Sequence, residues 1–105
     1  MRISVSAPGN DLTDVEVERI HQDLDKIDRR LKDFREEVSA AVRITDMQGA
    51  PGSNVVLEVD YGRTHLMAKA AHGDLGQAVR EAREEILRQI NDRTRRGHSS
   101  FTRNR

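Results

Sequence analysis

Residues 2–7, RISVSA, alternate apolar and polar, with Ile3, Val5 and Ala7 on one face, and predict a short strand. Pro8, Gly9, Asn10 and Asp11 end it. Thr13 and Glu16 stand at capping-box spacing, where each side chain can satisfy a free backbone N–H, so a helix is expected from about Asp14. Its apolar positions are Val17, Ile20, Leu24, Ile27, Leu31 and Phe34, and intervals of three and four keep them on one stripe. A second strand is expected over residues 36–45, with Val38, Ala40, Val42 and Ile44 on one face and Ser39, Ala41, Arg43 and Thr45 on the other. Residues 46–53, DMQGAPGS, read as a loop. Residues 54–61 form a third alternating run with Val55, Leu57, Val59 and Tyr61 on one face, and Gly62 and Arg63 turn the chain into a fourth strand over 64–71. Asp74 followed by Gln77 marks a second helix start, with Leu75, Val79, Ala82, Ile86 and Ile90 at helical spacing.

Elements with one apolar face each close into layers. The order predicts an α+β, two-layer sandwich, β-α-β-β-β-α, with two helices on one face of a four-stranded sheet. The strand–helix–strand start implies parallel strands joined by a right-handed crossover, and the short later connections imply antiparallel hairpins. The helical stripe is expected to pack against Val38, Val42, Val55, Leu57, Ile86 and Ile90. The opposite sheet face, with Ser39, Arg43, Glu58 and Asp60, can stay wet.

At 105 residues there is room for one core. Hydrophobic residues are 35% and the only aromatics are Phe34, Tyr61 and Phe101, so that core is small and aliphatic. Residues 1–96 are expected to form the domain and 97–105 a flexible basic tail. No apolar run is long enough to span a membrane, the first residues lack a secretory h-region, and there is no cysteine; a cytoplasmic protein is the expectation. His21, His65, His72 and His98 are scattered, with His65 and His72 expected on opposite faces of the fourth strand, so no metal site is expected. There is no phosphate loop, Rossmann glycine pattern or nucleophile elbow, and acid pairs such as Glu36-Glu37 and Glu84-Glu85 lie on charged faces. No enzyme, cofactor or small-molecule substrate is expected.

Net charge is zero, but unevenly spread. Residues 86–105 carry six arginines against Asp92 alone, a net +5, and residues 1–85 balance it. A neutral chain can still present a local positive field, and the same residues can equally be a solvated helix end. Along the first helix Arg19, Lys26, Arg29, Arg30 and Lys32 interleave with Asp23, Asp25, Asp28 and Asp33. On the second, Arg80, Glu84 and Arg88 stack at intervals of four, and Glu84 with Arg88 is an expected ion pair.

Several motifs, in order, match a known family. The first helix ends Ile27-Asp28-Arg29-Arg30-Leu31-Lys32-Asp33-Phe34, the second strand reads VSAAVRI, AHGDLGQAV enters the second helix, and Ile86-Leu87-Arg88-Gln89-Ile90 precedes Arg93, Arg95 and Arg96. Over residues 1–96 the chain resembles the ribosome hibernation promoting factors, or ribosome-associated translation inhibitors, in their short form. The resemblance implies a double-stranded-RNA-binding-like fold of the same β-α-β-β-β-α order. It also implies a protein, monomeric when free, that occupies the small ribosomal subunit and silences translation under stress. The positions matching the family's RNA-facing basic residues are Lys26, Arg29, Arg30, Lys32, Arg88, Arg93, Arg95 and Arg96. Family members carry more lysine where this chain has Glu81, Glu84 and Glu85. A different reading also fits the residues: a protein-interaction module that dimerises through the apolar stripe of the first helix, without binding ribosomes.

Overall fold

The computed structural model describes residues 1–9 and 11–103, and among these not the side chains of residues 35, 36 and 95–103. The chain runs β1 (Arg2–Ser6), α1 (Asp14–Arg30), a 3-10 helix (Lys32–Glu37), β2 (Val38–Asp46), β3 (Ser53–Tyr61), β4 (Thr64–His72) and α2 (Leu75–Arg103). The four strands lie in the order β1-β2-β3-β4. β1 and β2 are parallel, with Ile3 beside Ala40 and Val5 beside Val42. The two hairpins are antiparallel, with Val42 opposite Leu57 and Leu57 opposite Ala68. This is the expected α+β sandwich with a mixed sheet.

Alternation decides which sheet face is covered. Val38, Ala40, Val42 and Ile44 of β2, Val55, Leu57, Val59 and Tyr61 of β3, and Leu66 and Ala68 of β4 are buried, and they form one cluster with the helix stripes. α1 contributes Ile20, Leu24 and Ile27, with Leu31 just past its end, and α2 contributes Ala78, Val79, Ala82, Ile86 and Ile90. Both helices therefore share the core on one side of the sheet. Thr13 caps α1 as the sequence predicts: its hydroxyl accepts from the Glu16 N–H (3.1 Å), and the Glu16 carboxylate accepts from the Thr13 N–H (2.9 Å). At α2 the cap is single. The Asp74 carboxylate accepts from the Gly76 N–H (3.2 Å), while Gln77 accepts instead from Arg80 (3.3 Å).

The apolar stripe of α1 departs from expectation at both ends. Val17 is only half-buried. Phe34 is not on the helix at all: α1 stops at Arg30, Leu31 closes it by donating to the Ile27 carbonyl, and Phe34 sits in the 3-10 helix, 40% exposed. Its ring packs edge-on against Tyr61 (centroids 4.9 Å apart) and beside Gly62. The cause lies downstream. Val38 must pair with Tyr61 to set the β2–β3 register, so the chain reverses within residues 31–37, and the expected strand start at 36 becomes Val38. In the β2–β3 loop Gly52 has a φ of 132°, and a Cβ there would stand 2.6 Å from the His72 carbonyl oxygen, so only glycine fits. The expected division at residues 96 and 97 falls inside α2, on residues whose side chains lie outside those described.

Candidate nucleic-acid interface

The two helices run in the same direction. Near the middle of α1 the Asp23 carboxylate faces Arg80 (3.9 Å) and Arg83 (3.7 Å) of α2; two turns later Arg30 donates through Nε and Nη2 to the Asn91 side-chain oxygen (3.2 and 3.1 Å). Parallel helices bring the last turn of α1 beside the stretch of α2 around Asn91. The basic residues of two distant segments thus meet at one end of the sandwich.

The local partners differ among them. Arg29 is held by Asp25 one turn back (3.0 Å). Arg88 lies between two carboxylates, Glu85 (2.5 Å) and Asp92 (3.0 Å). The hydrogen bonds from Arg88 and Gln89 hold the Glu85 carboxyl below its usual range, and the bond to Glu85 raises the Arg88 guanidinium further. The expected Glu84–Arg88 pair does not form, because Arg83 takes Glu84 (2.9 Å). Arg30 is different in kind. Its partner Asn91 is neutral, so the guanidinium is fixed in place with its charge uncancelled. Lys26, Lys32 and Arg93 are exposed and make no ion pair among the described residues. The side chains of Arg95 and Arg96 lie outside the described residues.

Two residues at this seam were not singled out from the sequence. Arg83 is the one charged side chain that is buried among the described residues, at 9% exposure. Its Nη1 donates to the Asp23 backbone carbonyl (3.3 Å), tying α2 to α1. Its place four residues after Val79 and three before Ile86 puts it on the apolar stripe, and that spacing was visible. Asn91 carries no comparable mark, since its role depends on a residue 61 positions away.

Elsewhere, the polar sheet face carries an imidazole between two acids. His65 Nδ1 meets Asp60 (2.6 Å) and Nε2 meets Glu58 (3.3 Å). The hydrogen bond to Asp60, with that carboxylate's charge, raises the His65 pKa above 6.5. His72 lies on the helix side, where Nδ1 accepts from the Asp74 N–H (3.0 Å). Among the described residues no group of three acids, histidines or cysteines has metal-binding geometry, and no helix is long and apolar enough to cross a membrane.

No protein-family model and no curated protein sequence matches this chain. Solved structures do. The N-terminal domain of Protein Y from Thermus thermophilus superposes with a TM-score of 0.72 at 18% identity, over 86% of this chain and 96% of that one. A ribosomal subunit interface protein from Coxiella burnetii superposes with a TM-score of 0.73 at 17% identity, over 90% of this chain and 98% of that one. In element order, sheet and helix placement, over nearly its whole length, this chain has the fold of these two proteins.

Proposed function

We propose that the protein is a non-enzymatic, cytoplasmic ribosome-binding factor that occupies the small ribosomal subunit through its RNA and so inhibits translation, as hibernation factors do. The observation that carries this reading is the fold shared over 90% of the chain with a ribosomal subunit interface protein. The charge geometry agrees with it. Basic side chains from the ends of α1 and of the 75–94 stretch of α2 converge on one end, a surface suited to phosphates, with shape rather than base reading fixing the site. Lys26, Arg30, Lys32 and Arg93 are the proposed phosphate contacts, continued by Arg95 and Arg96. Arg29 and Arg88 stand beside them with carboxylates already in hand.

The competing reading, a dimer formed through the α1 stripe, loses its surface. Ile20, Leu24, Ile27 and Leu31 are already inside the core of one chain. Sucrose-gradient sedimentation with ribosomes and with separated subunits tests the proposal. Co-sedimentation with the small subunit, lost on charge reversal of Arg30, Arg93, Arg95 and Arg96 in a folded variant, is the expected result. Sedimentation at the top of the gradient with every ribosomal species overturns it.

A further inference from the structure

Arg30 and Asn91 meet across the helix seam, 61 residues apart in the chain. Each stands next to a core side chain: Leu31 follows Arg30, Ile90 precedes Asn91, and both of these are buried. Packing therefore fixes the two backbones, although the Arg30 and Asn91 side chains are exposed. Arg30 Nε and Nη2 donate together to Asn91 Oδ1 (3.2 and 3.1 Å). A guanidinium has donors and no acceptor, so the amide must turn its oxygen, not its nitrogen, toward Arg30. Nε and Nη2 form one edge of the guanidinium. With that edge on Asn91, the end edge keeps its Nη1 and Nη2 hydrogens, and Arg30 makes no other hydrogen bond or ion pair among the described residues.

The surrounding acids leave that edge open. Helical spacing puts Lys26 and Ile27, and no carboxylate, one turn before Arg30 on α1. Asp28 is taken by the N-terminal ammonium (3.4 Å), and Asp92, next to Asn91, is taken by Arg88 (3.0 Å). Asp33 lies beyond the end of α1 and forms no ion pair with Arg30. Arg29, the adjacent residue, shows the alternative: its guanidinium is committed to Asp25 (3.0 Å).

We propose that Asn91 is a positioning residue: it holds Arg30 so that the end edge of the guanidinium grips one RNA phosphate through two parallel hydrogen bonds. This rests on the RNA-binding reading above and assigns one contact within it. Lys26, Lys32 and Arg93 supply charge. Arg30 supplies a fixed fork that matches two phosphate oxygens, and an ammonium cannot reproduce it. Without Asn91 the guanidinium has to be immobilised on binding. That ordering cost falls on affinity and leaves the number of neutralised phosphates unchanged. A carboxylate in place of the amide would hold the fork equally well but cancel its charge.

The probe is a labelled single-stranded oligouridylate, titrated with the intact protein by fluorescence anisotropy at several salt concentrations; sedimentation with purified small subunits runs alongside. Arg30→Lys and Asn91→Ala are each expected to weaken oligouridylate binding about three- to tenfold and to keep the wild-type slope of log affinity against log salt. Asn91→Asp is expected to flatten that slope by about 0.7, one contact on a single strand. With Arg30→Gln already in place, Asn91→Ala is expected to change affinity by less than about twofold. A purely structural Asn91 would lower the melting temperature of Asn91→Ala and leave the folded variant binding as the wild type does, which overturns the proposal. Wild-type affinity in Arg30→Lys, an equal loss on Asn91→Ala with and without Arg30, or no oligouridylate binding at about 50 mM salt also overturns it. None of these results touches sedimentation of the wild type with small subunits. Conversely, the expected pattern on oligouridylate from a protein that stays at the top of the gradient upholds the Arg30 fork and overturns ribosome binding.

Discussion

Arg88 and Arg30 carry the same charge in opposite circumstances, and a salt titration separates them. Each phosphate neutralised by a side chain adds about 0.7–0.9 to the slope of log affinity against log salt. A fourfold rise in salt, from about 50 to 200 mM, then costs about threefold in affinity per contact. Arg30 is positioned by a neutral amide, so its full charge is available to a phosphate. The variant Arg30→Gln is expected to flatten the slope by one contact. Arg88 already holds Glu85 and Asp92, and a phosphate would have to displace carboxylates that stay nearby and repel it. Replacing Arg88 alone would change the local charge, so the informative variant is the double Glu85→Gln, Arg88→Gln, which removes one charge of each sign. Its slope for small-subunit binding is expected to match the wild type within about 0.2, a fraction of one contact. Anisotropy with labelled protein and purified small subunits at four or five salt concentrations gives the slopes, and thermal melts verify that each variant is folded. A slope lowered by a full contact in the double variant, with no change in Arg30→Gln, refutes the reasoning that local carboxylates decide which arginines reach RNA.

Two further predictions concern stability and pH. Leu24→Ala removes a fully buried side chain of α1 from the shared core and is expected to cost about 2–5 kcal/mol in chemical denaturation, against about 1–3 kcal/mol for Phe34→Ala, whose ring is partly exposed and has one aromatic partner; equal costs would place Phe34 in the core after all. His65 is expected to titrate above 6.5 by imidazole NMR, and Asp60→Asn to bring it down. Because its folded value is raised, any stabilisation from this contact is complete below 6.5 and fades as pH rises through the folded value. An unchanged His65 titration in Asp60→Asn rules out the Asp60 contact as its cause.

The fold was legible because each element advertises one face. Period-two alternation in β2 to β4 and three-four spacing in both helices report which side chains are buried, and burial of those faces leaves one compact arrangement. Phe34 escaped the same logic. Periodicity describes a stripe but not where the helix under it must stop, and that limit is set by the pairing of Val38 with Tyr61, a contact between segments. The candidate site divides the same way. The residue types were in the sequence, but the charge each leaves available was not. Spacing allows Arg88 to pair with Glu84, Glu85 or Asp92, and the choice follows from Arg83, which is drawn into the helix seam by the Asp23 carbonyl and takes Glu84 with it.

A net charge of zero argues against a nucleic-acid binder only if charges act as a sum, and in salt they do not. At physiological ionic strength the Debye length is about 8 Å. α1 has 17 residues, so Asp14 and Arg30 stand about 24 Å apart along the helix at 1.5 Å per residue. That is about three Debye lengths, over which a screened potential falls about twentyfold beyond its Coulomb decay. The acids at the start of α1 therefore do not offset the basic end. Near that end Asp25 is occupied by Arg29 and Asp28 by the N-terminus, while Asp33, exposed and without an ion pair among the described residues, is the acid that counts. Neutralising one acid at a time should then have effects ordered by distance rather than by charge. Asp33→Asn is expected to tighten small-subunit binding by about two- to threefold at about 0.15 M salt, and Asp14→Asn to leave it unchanged. Equal tightening by both variants would mean that total charge governs binding, and the basic end would lose its claim to be the site.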